Sequence, residues 1–581
     1  MTAVVWRTAL ILAAVLAVAF AVLAPPERCP PVTTGELRAS AEATVGWFVR
    51  NQEADGRWLY LYDADEDLTP SEYNVVRHAG VTMGLYQAAA AGLPGALRSA
   101  DRGRDWALDR LLEREGWAAL TLQGQVATGA TALLAAGLVI RRDATGEKRY
   151  DAVLRRLGRF LVAQTEPSGS VLASYDPARG APIPGEYSKY YTGEAYWALA
   201  LLHRALPGEA WGEAADAVGA YLATSRDEVE DHWPPILDHW AAYGAAETVR
   251  VRAGALTEDE LRYARRQAEQ FGGAVRWISQ RFGPWGGVVR GSDTPRGGGY
   301  GVIGEALTGW WLVAQADPRM ADLRGAIGER ATCVAALAVA EQSGREDAAN
   351  AARPARVEGA WFHGGETRMD DQQHALAALL RTIPIVEAAG SPDPDEDAPS
   401  SWLWVAALVL ALNPARAAFG VPRGGRSPAA VAAAGAALGG LAVCAFAAVA
   451  GPLLDALDVS DPSFRIAAGV VGVVAGAADL VRRPPRPDPA LPGWRAALVP
   501  VAIPVVLRPA LLVLALAAGA DAGVLVTAGA MAFGVALLTG LAAACPIDGA
   551  SGRALRWASR LLAAALVACA VLLVVDGLFA V

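Results

Sequence analysis

The stretch "EYSKYYTGEAYWALALLHR", residues 186–204, opens on charges, tyrosines and a glycine and then becomes an apolar helix. Polar side chains entering a buried helix cost on the order of several kcal/mol each unless they find partners. The design is not isolated. It returns in "YNVVRHAGVTMGLYQAA" (73–89), "GQVATGATALLAAGL" (124–138), "LDHWAAYGAAETVRV" (237–251), "GYGVIGEALTGWWLVA" (299–314) and "MDDQQHALAALLRT" (369–382). The small anchors Gly80, Gly129, Gly193, Gly244, Gly304 and Ala375 lie 49, 64, 51, 60 and 71 residues apart, the spacing of a repeated supersecondary unit.

Before each copy runs an amphipathic helix, over about 38–52, 98–114, 148–164, 209–224, 257–280 and 319–342. An all-round apolar helix must be covered on every side, so six such pairs predict an outer ring of helices around an inner one. The expected fold is all-α, an (α/α)6 toroid over residues 28–390. Glycines and alanines on the inner helices permit close approach, and "EADGRW", "EPSGSV", "FGPWGG" and "EGAWF" are expected to line one mouth.

Parallel inner helices would bring their polar starts to one face, where helix N-termini favour negative charge. The predicted pocket draws its catalytic candidates from Glu194, Asp238, Glu305, Asp371, His374 and His78. Its substrate-binding candidates are Tyr73, Asn74, Arg77, Gln125, Lys189, Tyr190, Tyr191, His239, Trp240, Tyr300, Trp361 and Asp370. Aromatics beside carboxylates suit carbohydrate, and hydrolysis needs an acid and a base on opposite sides of the bond.

Each candidate also has a structural reading. Glu194 and Glu305 share the frame Gly-Glu-Ala and can bond neighbouring helix ends, and Asp370 can be an N-cap. His374 lies three residues after Asp371, a spacing that allows an acid–base pair or a packed histidine. Arg77 and His78 can neutralise a uronate and abstract its proton, or simply bond loop carbonyls. His78, His239 and His374 show no HExxH-type spacing, so no metal and no cofactor is expected.

Between residues 25 and 400 there are 38 Lys and Arg against 52 Asp and Glu, without a basic stripe, which argues against nucleic acid as a partner. Of five cysteines, Cys29 and Cys333 alone fall in this part, and no disulfide framework is signalled. Only two lysines accompany the arginines, a bias of GC-rich bacterial coding sequence.

The apolar fraction of 53% points to a membrane protein. Residues 3–24 read as a signal anchor, with a cleaved signal peptide as the alternative, within an N-terminal segment 1–27. "SPDPDEDAPSS" is a linker over 391–401, and spans are expected at about 402–421, 428–451, 464–481, 496–518, 522–544 and 557–579. Arg423 and Arg426, then Arg482, Arg483, Arg486 and Arg495, then Arg553, Arg556 and Arg560 occupy alternate loops. By the positive-inside rule those loops are cytoplasmic, which places residues 28–400 outside the plasma membrane, as Arg7 does from the other end. Prolines inside the first and fourth spans, in "ALNPARAAF" and "VLRPALLVL", predict a 3+3 inverted repeat with a site at the breaks, at Asn413, Pro414, Arg508 and Pro509. Arg508 in an apolar span is a functional candidate or a partner of a carboxylate such as Asp479.

Asn413-Pro414, "PSFRIAAGVVGVVAGAADLV" (462–481) and "LVPVAIPVVLRPALL" (498–512) make residues 402–581 resemble the MarC family of six-span membrane proteins. The resemblance implies a transporter-like shape without a substrate, and Arg508-Pro509 departs from the family's usual Gly-Pro. In architecture alone the toroid resembles six-hairpin glycosidases and the related uronic-acid epimerases and lyases. "EADGRW" is similar to repeats of terpenoid-cyclase-like toroids, whose DxDD acid motif is not found here.

These readings describe a membrane-tethered, carbohydrate-active protein acting on cell-envelope glycan by hydrolysis, elimination or epimerisation. The alternative is a noncatalytic receptor for a glycan or small solute, coupled to the membrane domain. Its partners are the bilayer and a glycan or small-molecule ligand.

Overall fold

Thr33 starts the first helix, α1 (Thr34–Arg50), with a capping box. Its hydroxyl accepts from the Glu36 amide at 3.2 Å, and the Glu36 carboxylate accepts from the Thr33 amide at 2.8 Å, satisfying two amides that a helix start leaves open. The computed structural model describes residues 27–252, 256–282, 287, 291, 294–389, 401–423, 427–457, 461–485, 495 and 497–579. The expected anchor at 3–24 and nearly all of the 391–401 linker lie outside the described residues. The chain divides into two units, one of Cys29–Ser279 and Asp293–Glu396, the other of Asp397–Ala580 with Gln280–Ser292.

In the first unit α1 is followed by α2 (Val75–Ala90), α3 (Ala96–Leu108), α4 (Thr128–Thr145), α5 (Asp151–Gln164), α6 (Tyr191–Ala205) and α7 (Trp211–Thr224). Then come α8 (His239–Val251), α9 (Glu258–Ser279), α10 (Gly297–Ala316), α11 (Arg324–Glu341) and α12 (Met369–Ala389). The even-numbered helices pack each on the next, and α12 returns to α2, closing a ring. The odd-numbered helices cover that ring from outside, as a toroid requires. Burial follows the same division: α2, α4, α6, α8 and α10 are enclosed along most of their length, whereas α3, α5 and α9 bury one stripe.

Absent side chains let the inner helices approach. A Cβ on Gly193 of α6 would stand 2.4 Å from the Asp238 carboxylate, and one on Gly301 of α10 would stand 2.2 Å from the backbone carbonyl carbon of His374 on α12.

Strands, which helical periodicity does not reveal, fold the loops between helices. β1 (Leu61–Asp63) pairs antiparallel with β7 (Glu366–Arg368), and β2 (Leu111–Arg114), β3 (Trp117–Leu122), β4 (Gln125–Ala127), β5 (Ser174–Asp176) and β6 (Ala181–Pro182) form a second antiparallel sheet in that order. Cys29 and Cys333 form a disulfide across 304 residues of sequence. The cysteine spacing does not signal this bond, because it takes ring closure to bring Cys29 beside α11.

In the second unit, Trp402–Gly420, Pro428–Ala448, Phe464–Val481, Gly523–Ala544 and Gly549–Val575 are long and apolar enough to cross a membrane. The predicted fourth span, 496–518, is instead two pieces. Ala497–Val506 is interrupted by non-helical Val499 and Ile503, and Pro509–Asp521 follows an extended Arg508. The first span also breaks where the sequence suggests: Ser401–Leu412 stops at Asn413, whose φ is 46°, and Pro414 starts a short turn of helix. Arg508 reaches the Ala411 carbonyl at 3.1 Å and grips Asp479 at 2.7 and 2.8 Å. The cation is therefore paired, and the two breaks touch.

Gly301→Ala tests the close approach within the toroid. With α10 and α12 forced apart, the thermal midpoint of the detergent-solubilised chain, followed by circular dichroism, is expected to fall by several degrees, from a loss of about 1–3 kcal/mol. Gly35→Ala, whose methyl would meet nothing nearer than 3.8 Å, should leave it in place.

Candidate functional site

Three inner helices deliver one side chain each to a common point: His239 begins α8, Glu305 lies two turns into α10, and His374 lies in the second turn of α12. His374 Nδ1 and Glu305 Oε2 are 2.6 Å apart, and His239 Nε2 is 3.9 Å from the same oxygen. Tyr243 donates its hydroxyl to Glu305 Oε1 at 2.8 Å, and the Arg381 guanidinium sits 4.0 Å from the Tyr243 ring centre. Trp240 packs its ring 4.4 Å from His239 and 5.8 Å from His374, and stacks on Trp197 behind. Rotation of either imidazole is thereby restricted.

The two histidines are driven in opposite directions. Burial, with the charge of His374 nearby, pushes His239 well below its ordinary value. Burial would also depress His374, but the charge and hydrogen bond of Glu305, with Asp370 and Asp371 farther off, outweigh it and raise His374. Among the described residues neither ring nitrogen of His239 has a hydrogen-bond partner. His239 and Glu305 are closed off, while His374 keeps 16% of its side chain exposed and is the member reachable from outside. Each of the three offers one ligand atom within 4.8 Å of the others, so the trio also fits a metal ion, against the sequence expectation of none.

The pairing of His374 with Asp371 anticipated from their spacing is replaced. Asp371 accepts from the Gly298 amide at 3.1 Å and from Arg296 at 3.2 Å, with Arg368 at 3.7 Å, and so latches α12 onto the start of α10. Its neighbour Asp370 pairs with Arg77 at 2.9 Å rather than capping the helix, and Arg77 also donates to the Tyr60 hydroxyl. Arg77 is 30% exposed and marks the rim.

Asp238 caps α8, accepting from the Trp240 and Ala241 amides, and is bound to Arg226 at 2.5 Å with neither side chain reaching solvent. Asn74 caps α2 in the same way. His78 points away from the pocket: Nε2 donates to the Gly103 carbonyl at 2.8 Å, Nδ1 accepts from Tyr73 at 2.7 Å, and burial depresses it to about 3. Tyr73 is half-buried against Trp106, and the His78 ring lies between Trp58 and Trp106. Trp361 is buried, donating to the Ala338 carbonyl, and Tyr300 is buried as well. Gln125 is exposed on β4, Lys189 is exposed over the Tyr190 ring, and Tyr190 is itself exposed.

Glu194, in the same local frame as Glu305, has a different fate. It is buried against Gly129 and Tyr191, its Oε2 has no hydrogen-bond partner among the described residues, and burial, then the charge of Asp238, raise it to about 8. Burial likewise raises Tyr191, to about 12. Tyr243, Arg381 and Tyr60 were not singled out in the sequence. Arg381 offered a signal, a cation within the largely apolar run 375–385 of an inner helix.

Glu194 yields a pH prediction. The unfolded chain ionises it near the ordinary 4.5 and the folded chain near 8. The stability linked to its neutral form is full below 4.5 and is lost as pH rises through about 8. Glu194→Gln should therefore match the parent in thermal midpoint at about pH 4.5 and exceed it increasingly toward pH 8. A constant offset across that range would refute this account of the carboxylate.

Searches of family models and of curated proteins returned no match. Among solved structures the chain is similar to a cellobiose 2-epimerase from Spirochaeta thermophila, at 15% identity and TM-score 0.46 over 62% of this chain and 97% of that one. It is similar to a GH76 α-mannanase from Bacteroides thetaiotaomicron, at 9% identity and TM-score 0.43 over 61% and 97%. A type II terpene cyclase from Scytonema is similar at 12% identity and TM-score 0.38 over 61% and 99%.

Proposed function

We propose that the toroid catalyses proton transfer on a sugar, as an epimerase or isomerase does, with His239 as base and His374 as acid. The observation that carries this is the convergence of His239, Glu305 and His374 from three helices. Titratable groups driven apart by their surroundings supply an acid and a base at one pH. His239, neutral and enclosed behind His374, accepts a proton from the carbon beside a sugar carbonyl when the sugar seats past the exposed edge of His374. His374, its imidazolium held by Glu305, returns one to the resulting enediolate, and delivery to the opposite face inverts the carbon. Tyr243 fixes the Glu305 carboxylate, and Arg77 with Asp370 at the rim binds hydroxyls. Hydrolysis is less supported, because Asp238 and Asp371 are engaged in helix latches, whereas a glycosidase keeps two working carboxylates across the bond.

A second reading is a metal-dependent sugar isomerase, favoured by the same three donor atoms and by the unpartnered nitrogens of His239. Elemental analysis of the purified full chain, with and without chelator, separates the two.

The test is solvent exchange. Cellobiose and mannose incubated with the full chain in D2O should gain deuterium at C2, followed by NMR, and His239→Asn or His374→Asn should slow this by roughly 10²–10⁴. Mannan oligosaccharides cleaved without exchange would replace this reading with a hydrolase. Binding with neither reaction would support a receptor coupled to the membrane unit.

For the whole chain we propose the organisation anchor (1–27), toroid (28–390), linker (391–401) and six-span MarC-like membrane domain (402–581). The toroid would lie outside the plasma membrane, facing envelope glycan. The alternating arginine loops support this, and so does the Cys29–Cys333 disulfide, since such bonds persist in oxidising compartments. A cysteine placed at exposed Trp233 should react with a membrane-impermeant maleimide on intact cells. Labelling only after lysis would put the toroid in the cytosol.

A further inference from the structure

The membrane unit holds a cavity of about 370 Å³ between the break in its first span, the end of the Phe464–Val481 span and the beginning of the Gly549–Val575 span. That volume falls in the range of small-ligand sites, roughly 300–1,000 Å³. Arg416, Arg482, Arg483, Arg556 and Arg560 line it, with Asp479 as the one carboxylate in the lining. The charge of Asp479 is already met. Arg508 holds it through both oxygens, and Arg416 Nε stands 3.1 Å from it.

Arg416 also donates to the carbonyls of Arg482 at 3.0 Å and Arg483 at 2.9 Å, so it fastens the backbone that carries those two side chains. Arg556 and Arg560 lie four residues apart on one helix, where like charges share a face and repel. Among the described residues, none of Arg482, Arg483, Arg556 and Arg560 pairs with a carboxylate. Four guanidiniums gathered around one cavity therefore lack a counter-charge among the described residues.

We propose that this cavity binds a phosphate-bearing anion through Arg482, Arg483, Arg556 and Arg560. Guanidinium forks match phosphate oxygens two at a time, and a phosphate carries more charge to balance the cluster than a carboxylate does. Basic pockets between membrane helices take phosphorylated headgroups for the same reason. Phe419, Val481 and Pro485 give the wall an apolar side, against which the tail of a lipid phosphate can lie. The anion has two sources, a lipid headgroup or a free phosphate in solution.

The full chain in detergent is titrated by calorimetry with pyrophosphate, with short-chain phosphatidic acid, and with acetate as the carboxylate control. Saturable binding of a phosphate compound that weakens with added salt, with acetate silent, is the expected result. Phosphatidic acid alone assigns a headgroup site, and pyrophosphate binding as tightly assigns a free-anion site. The pair Arg556→Gln/Arg560→Gln should weaken binding at least tenfold, as should Arg482→Gln/Arg483→Gln. Arg553→Gln, an exposed cation on the same helix outside the lining, should not. These side chains are exposed, and an unchanged circular dichroism spectrum verifies folding. Equal weakening by Arg553→Gln, or no saturable binding of either phosphate compound, overturns the proposal and leaves the arginines as topology signals only.

Discussion

The toroid depends on six inner helices lying close enough for the last to meet the first. Each contact needs a place where one helix has no side chain, as Gly193 does against Asp238 and Gly301 does against the backbone of α12. The seam between α12 and α2 is reinforced by connections that bring the two chain ends of the unit together. β1 pairs with β7, Cys29 with Cys333, and Gln342 bonds Ser40 and Thr44 on α1. With the ring closed, helix starts that would be six separate polar surfaces share one neighbourhood.

Most of the charge in that neighbourhood is structural. A buried carboxylate is tolerated when it satisfies amides and meets a cation, and Asp238 with Arg226 and Asp371 with Arg296 each meet those conditions. What remains for chemistry is small and different in kind. Glu305 is held by Tyr243 and His374, Glu194 by no hydrogen bond from the described residues, although Gly-Glu-Ala surrounds both in sequence. The difference comes from what the neighbouring helix presents at that height.

The second unit solves a related problem with backbone instead of side chains. Breaking the apolar helices at Asn413 and at Arg508 frees backbone polar groups that an apolar interior cannot satisfy. Asn413 answers by donating to the Ser559 carbonyl and accepting from the Arg416 amide. Arg508 answers by bonding both Ala411 and Asp479. The helix breaks are thereby turned into contacts among four apolar segments.

Periodicity and small-residue spacing are enough to read six helical hairpins, and apolar runs with prolines behind polar residues are enough to read broken apolar helices, because both signals are local. Gly80 through Ala375 could be aligned without knowing any contact. Partner choice was not local. His374 bonds Glu305 from a different repeat rather than Asp371 three residues away, His78 turns into the aromatic core beside Arg77 at the rim, and Cys29 finds Cys333 across the closed seam. Sequence spacing states which side chains share a helix face. Which of them meet across the ring depends on the register between helices, and only the closed tertiary structure sets that.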